Sequence, residues 1–189
     1  MSAIPKMGGD GLPFFYERLS PDIQVVLRQT RGRKFDPSLI LGVANRCRFG
    51  FPRVTICSPL RGSTPFPTTF WLTCPWLIRR VGALEAEGGV GELERWIEAH
   101  ALHEWAPFNV EHQRLRLTLL SEAERPQILE SLRAGGVGGI RYAETKVYVK
   151  CVHLQAASWL ALGHHPGQEW LEARGASQEC RDATCGRLS

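Results

Sequence analysis

The sequence predicts an α+β fold, a small antiparallel sheet followed by a helical layer, in a single domain. Three observations carry this. Short β-branched and aromatic runs separated by turn residues fill the first part of the chain. From residue 75 onward apolar residues recur at helical spacing, broken by glycine pairs. Strands come first and helices after, without alternation or internal repeat, which is the order of an α+β chain and not of a βαβ chain.

Residues 1–19 are rich in Gly and Pro and read as a flexible leader. They hold no apolar stretch followed by a small-residue cleavage site, which argues against secretion. The domain is expected over 20–174. It opens with an amphipathic helix over 21–31, with Ile23, Val26 and Leu27 on one face, Ser20 as cap and Gly32 as stop. Residues 39–44 read as a strand, 46–52 as a tight turn displaying Cys47, and 53–58 as the returning strand. Residues 61–75, RGSTPFPTTFWLTCP, organise the rest. Pro65 and Pro67 keep the path extended. Residues 68–73 form a third strand, and Pro75 starts a helix as its first residue.

Helices are then expected over 75–86, 90–103 and 105–120, the first ended by Gly88 and Gly89. A fourth starts at the capping-box-like Ser121 to Glu124 and runs to Arg133. Gly135 to Gly139 reads as a loop. A buried helix is expected from about Lys146 to Gly163, a turn at His164 and His165, and a last short helix over 168–174. Residues 175–189, small and polar, read as a loose tail.

The chain has 189 residues, 43% hydrophobic and 22% charged, with a formal net charge of +4. These are ordinary values for a globular domain. The mild basic balance permits an anionic partner, a small molecule or RNA, but lacks the clustered Lys/Arg runs of a committed nucleic-acid binder. No run reaches the ~18 apolar residues of a membrane span. The expected location is cytoplasmic, where six cysteines are thiols or metal ligands before they are disulfides.

Cys47, Cys74 and Cys151 each stand where an element turns, starts or ends, points from which metal ligands converge without unwinding a core. Lys150, Cys151 and His153 add a cation and an imidazole beside a thiol. His153 lies two positions past Cys151, roughly 200° around a helix, so both reach one metal only if the segment is irregular or the helix begins at Cys151. No C-x-x-C pair is present. Cys57 reads as a small buried hydrophobe, and Cys180 and Cys185 as idle thiols in the tail. A second constellation is an anion site. Gly138 and Gly139, within the 135–139 loop, offer backbone N–H groups beside Arg141, with Lys150, Arg61, Thr64 and Thr68 as further donors. Glu85 and Glu87 are carboxylates for acid–base work or simple helix-end solvation. The helical tryptophans read as core.

These motifs resemble a bacterial family of unknown function, DUF501. Cys47, Gly50 and Pro52 stand in its C-x-x-G-x-P turn, and residues 63–75 in its G-T-P-F-P-T-x-[YF]-[WY]-L-T-C-P stretch, with Ser63 in place of the glycine. Glu85, Gly88 and Gly89 stand in L-E-A-x-G-G, Gly138 and Gly139 in G-G-[IV]-x, and Lys150, Cys151 and His153 in K-C-L-H, with Val152 in place of leucine. The resemblance covers residues 20–172 and implies that Cys47, Cys74, Cys151 and His153 belong to the family motifs, whereas Cys57, Cys180 and Cys185 do not. It implies no activity.

The reading from sequence is therefore a metal-binding protein. Cys47, Cys74 and Cys151 supply thiolates, and His153 or solvent completes a Zn2+ site or a [4Fe–4S] cluster, acting on an anionic substrate. Its alternative is a binding module with a structural metal and an anion site built on Arg141, Lys150, Gly138 and Gly139. A third reading is a thiol enzyme with Cys151 as nucleophile.

Overall fold

The computed structural model describes residues 4–5, 15–18, 22–34, 36–126, 129 and 135–188. Its architecture is the expected one: an antiparallel sheet first, then helices packed on it. The sheet runs β1 (Ile4–Pro5), β2 (Phe15–Arg18), β3 (Ile40–Arg46), β4 (Pro52–Cys57) and β7 (Phe70–Leu72), in that spatial order. The short β5 (Leu60–Arg61) and β6 (Thr64–Pro65) form a separate hairpin, turned by Gly62 at φ +59°.

β3 and β4 join through the predicted turn. Cys47 N–H donates to Phe51 O, and Gly50, at φ +80°, supplies the left-handed residue that closes it. β4 is buried along its whole length. Val54, Thr55 and Ile56 pair with Leu72, Trp71 and Phe70 of β7. The leader expected over 1–19 falls mostly outside the described residues, but Ile4 and Pro5 pair with Tyr16 and Phe15 and extend the sheet.

α1 (Ile23–Gln29) precedes the sheet's central strands, and α2 (Pro75–Ala86), α3 (Gly89–His100) and α4 (Leu102–Thr118) follow the last one. Pro75 opens α2, and Gly88, at φ +89°, separates α2 from α3. α5 (Val152–Leu162) is mostly apolar and largely buried, and packs against β7 and α2, touching β3, β4 and α3. Gly163 ends it at φ +80°, and α6 (Gln168–Ala173) follows. Residues 127, 128 and 130–133 of the fourth expected helix lie outside the described residues. Its start is seen: Ser121 N–H and Oγ both meet Glu124 Oε2, at 2.9 and 2.6 Å.

Two expectations are corrected. The helix expected from Lys146 begins only at Val152. Residues 146–149 lie outside any helix or strand with Val147 and Val149 buried, and their backbone donors are met by side chains of α3. Val149 N–H donates to Glu94 Oε1 at 2.8 Å and Val147 N–H to Glu98 Oε1 at 3.1 Å. A buried backbone segment with no ladder partner must find acceptors elsewhere, and these two glutamates supply them.

The tail is the second correction, since residues 175–188 are docked. Ala176, Cys180 and Cys185 are buried. Arg53 donates to Ser177 O at 2.8 Å and pairs with Glu179 at 3.2 Å, and Arg48 donates to Cys180 O at 2.9 Å. The anchors are polar contacts from Arg48 of the β3–β4 turn and Arg53 of β4 and not an apolar stripe, so no periodicity announces them.

Candidate functional site

α2 and α5 pack side by side, and their contact assembles a cavity of about 370 Å³ at the side of β7. Its apolar walls are Phe70, Trp71 and Leu72 of β7 and Leu154 of α5. Its polar lining is Arg33, Thr68, Glu85, Lys150, Cys151 and His153. Cys151 takes the extended N-cap position of α5, so His153 sits in the first helical turn and Glu85 reaches it from the last turn of α2.

His153 is held at three atoms. Its Nδ1 lies 2.9 Å from Glu85 Oε1, its backbone N–H donates to the same oxygen at 3.1 Å, and its Nε2 lies 3.1 Å from Ile78 O. Both ring nitrogens thus face oxygen acceptors, and neither is directed at Cys151. Burial raises the Cys151 thiol above its ordinary value, with the Glu85 charge acting in the same direction. A thiol held protonated, beside an imidazole engaged elsewhere, is poorly arranged for nucleophilic attack.

Arg33 enters the cavity from the loop after α1. It is half-buried, desolvation lowers its pKa, its Nη1 donates to Leu72 O at 3.1 Å, and its guanidinium lies 5.5 Å from the Trp71 ring. Lys150 is exposed at the rim. Among the described residues no carboxylate lies within ion-pair distance of Arg33 or Lys150, while the carboxylate of the cavity, Glu85, is committed to His153. Sequence reasoning missed Arg33, which is hidden in the charged run Arg31 to Lys34 and carries no motif.

The expected anion loop is differently built. Gly135, Gly136, Val137 and Gly138 are buried. Gly136 N–H donates to Ile140 O, Gly139 N–H to Gly136 O and Val137 N–H to Asn109 Oδ1. These donors are consumed inside the fold and do not form an anion cradle. The loop still bears on the cavity. Gly138 sits against Leu154 and the Lys150 stem, and Gly139 against Pro67. Arg141 is exposed and does not line the cavity. Arg61 pairs with Asp36 at 3.3 Å.

The four expected metal ligands divide between two places. Cys151 and His153 line the cavity with Glu85. Cys74 caps the opposite end of α2, eleven residues from Glu85 and about 16 Å along the helix. There its thiol shares a hydrogen bond with Cys185, and Cys47 and Cys180 are electrostatic neighbours of Cys185. The shared hydrogen bond pushes the Cys74 thiol up and the Cys185 thiol down. Among the described residues, no three His, Cys, Asp or Glu side chains stand as a ready set of metal ligands. Cys57 is buried, and desolvation pushes its thiol up to about 12, as befits a small core residue.

The other histidines lie away from this cavity. His100 stacks on Trp96 and meets Trp96 O, and His164 meets Glu111 at 2.7 Å. The turn expected at His164 and His165 carries one exposed ring and one buried ring. His165 is buried, with Nε2 2.7 Å from Gln155 Oε1 and Nδ1 accepting from Gly167 N–H.

The family model described as protein of unknown function (DUF501) matches residues 43–173. The chain belongs to the DUF501 family. No curated protein and no solved structure matches it. Three DUF501 stretches far apart in sequence meet at the cavity: Thr68 from the central stretch, Glu85 from the L-E-A-x-G-G helix end, and Lys150, Cys151 and His153 from the K-C-L-H segment. The matched region ends before Cys180 and Cys185. Among the described residues no helix is long and apolar enough to cross a membrane.

Proposed function

We propose that this DUF501 protein is a binding protein for a small anionic molecule with a flat apolar body, held in the cavity between β7 and α5. The observation that carries the reading is the pairing of Arg33 and Lys150 on one cavity whose sole carboxylate among the described residues, Glu85, is already engaged by His153. A half-buried guanidinium without a counter-charge is costly, and an anion beside it removes that cost. Arginine also offers a planar fork that suits carboxylate and phosphate. The walls of Phe70, Trp71, Leu72 and Leu154 suit an apolar or aromatic portion of the same molecule.

Thermal unfolding of the purified chain, followed against inorganic phosphate, adenosine monophosphate and benzoate, tests the reading. A ligand that binds the folded state raises the melting temperature with its concentration. The expected result is stabilisation by at least one of the two flat anions, beyond that given by phosphate, and its loss in Arg33→Met. No response to any of the three overturns the proposal. Retention of single-stranded RNA in place of any small anion also overturns it, and transfers the function to nucleic acid.

A further inference from the structure

We propose that residues 146–150 form an open strand edge that captures an extended acidic segment of a partner protein by backbone pairing. Burial alternates strictly along this stretch: Lys146, Tyr148 and Lys150 are exposed, and Val147 and Val149 are buried. A period of two belongs to an extended chain, and Cys151 continues it at φ −164° and ψ 153°.

Residues two apart in an extended chain turn their N–H and C=O groups to the same edge. One edge here is closed by α3. Val147 N–H donates to Glu98 Oε1 and Val149 N–H to Glu94 Oε1. Two such donors stand about 6.5 Å apart in an extended chain, and two glutamates four positions apart on a helix stand about 6 Å apart along its axis. A helix face therefore takes the place of a neighbouring strand. The other edge, that of Lys146 and Tyr148, is open. Among the described residues neither the N–H nor the C=O of either residue has a hydrogen-bond partner. Unpaired backbone groups on an exposed extended edge are a template for one more strand.

The side chains select the occupant. Tyr148 is 45% exposed and stands between the two lysines. Against Arg141, Lys146 and Lys150 this stretch sets one acid, Glu144. Among the described residues no carboxylate pairs with Arg141, Lys146 or Lys150. A second copy of the edge would set lysine against lysine, which is unfavourable, whereas Asp or Glu opposite them is attracted. Lysines on an edge keep most strands away, and an acidic strand is the kind they do not exclude. Single-stranded nucleic acid needs open aromatic faces, and Lys146 Nζ lies over the Tyr148 ring, 5.1 Å from its centroid, covering one of them.

The test is fluorescence anisotropy of a labelled peptide of alternating Glu and Thr with the full chain, beside a version with Lys for Glu and an oligouridine RNA. Saturable binding of the acidic peptide alone is expected. Tyr148→Pro removes an N–H of the open edge, Lys146→Glu reverses a charge beside it, and each is expected to weaken binding roughly tenfold. Hydrogen exchange at the Tyr148 amide should slow when the peptide is added to wild-type chain, a readout that holds even if Tyr148→Pro fails to fold. Absence of peptide binding, full affinity in Lys146→Glu, or unaltered exchange at Tyr148 with peptide bound overturns the proposal. So does retention of the RNA in place of the peptide, or a dimer of the chain that protects the Tyr148 amide without peptide. Lys150 also lines the cavity and is left intact. Arg33→Met is expected to bind the peptide as wild type does, so this edge and the anion reading fail separately.

Discussion

Glu85 Oε1 accepts twice from His153, from ring Nδ1 at 2.9 Å and from the backbone N–H at 3.1 Å. One carboxylate therefore orients the imidazole and caps α5, whose N-cap residue Cys151 provides no side-chain cap of its own. Replacing Glu85 by Ala is predicted to cost about 1–2 kcal/mol, the range of a lost cap or charge-assisted hydrogen bond. Glu85→Gln, which keeps one acceptor, recovers part of it. Urea unfolding measures both, and an unchanged midpoint for Glu85→Ala contradicts the capping role.

Glu94 acts in the same way one helix further on. Its removal leaves the Val149 N–H buried without an acceptor, a loss of about 1–3 kcal/mol. Hydrogen exchange at Val149 should accelerate in Glu94→Ala while the amides of β4 remain protected. Equal protection in both proteins would show that the segment is held by packing alone.

Gly136 has no room for a side chain. A Cβ there would lie 1.8 Å from Asn109 Oδ1, the acceptor of Val137 N–H, while Asn109 Nδ2 donates to Trp105 O at 2.7 Å. Gly136→Ala must displace Asn109 and is predicted to destabilise by about 3 kcal/mol. A thermal melt within a degree of wild type would contradict this geometry.

Acid sensitivity should come partly from His112 and His165. Both have folded pKa values of about 3, lowered first by burial, then for His112 by Arg116 and His164 and for His165 by His112 and His164. The unfolded chain titrates near 6.5, so between about pH 3 and 6.5 it binds protons that the fold does not. Stability is then full above about pH 6.5 and falls as pH drops, by up to about 1.4 kcal/mol per unit for each ring. His112 sits edge-on to Phe70 and Phe108, and its ring nitrogens have no hydrogen-bond partner among the described residues. His112→Phe should therefore flatten the dependence between pH 7 and 4.5. An unaltered slope would remove His112 from the account.

Much of the sheet and the helix order was legible because local residues dictate them. Gly50 closes the β3–β4 turn, Pro75 opens α2, and Gly88 and Gly163 end helices with positive φ. The segment before α5 was misread as helix because Val147, Val149 and Val152 carry apolar weight, while its conformation is decided by Glu94 and Glu98, about fifty residues away. The C-terminal segment was misread because arginines at 48 and 53 anchor it, a pairing invisible to composition. Of the site, Lys150, Cys151 and His153 stand out by their proximity in sequence, and Glu85 as a carboxylate beside a glycine pair. Arg33 emerged only when the chain was folded, since nothing local distinguishes it from its charged neighbours.

The most direct measurement of the anion-binding reading is calorimetric titration of each flat anion, adenosine monophosphate and benzoate, into wild-type chain, Arg33→Met and Lys150→Met. Saturable binding of at least one of them by wild type is expected, weakened roughly tenfold or more in each variant, since each removes a charge-assisted contact worth about 1.5–3 kcal/mol. Absence of binding of both anions by wild type, or equal affinity in all three proteins, would contradict the reading.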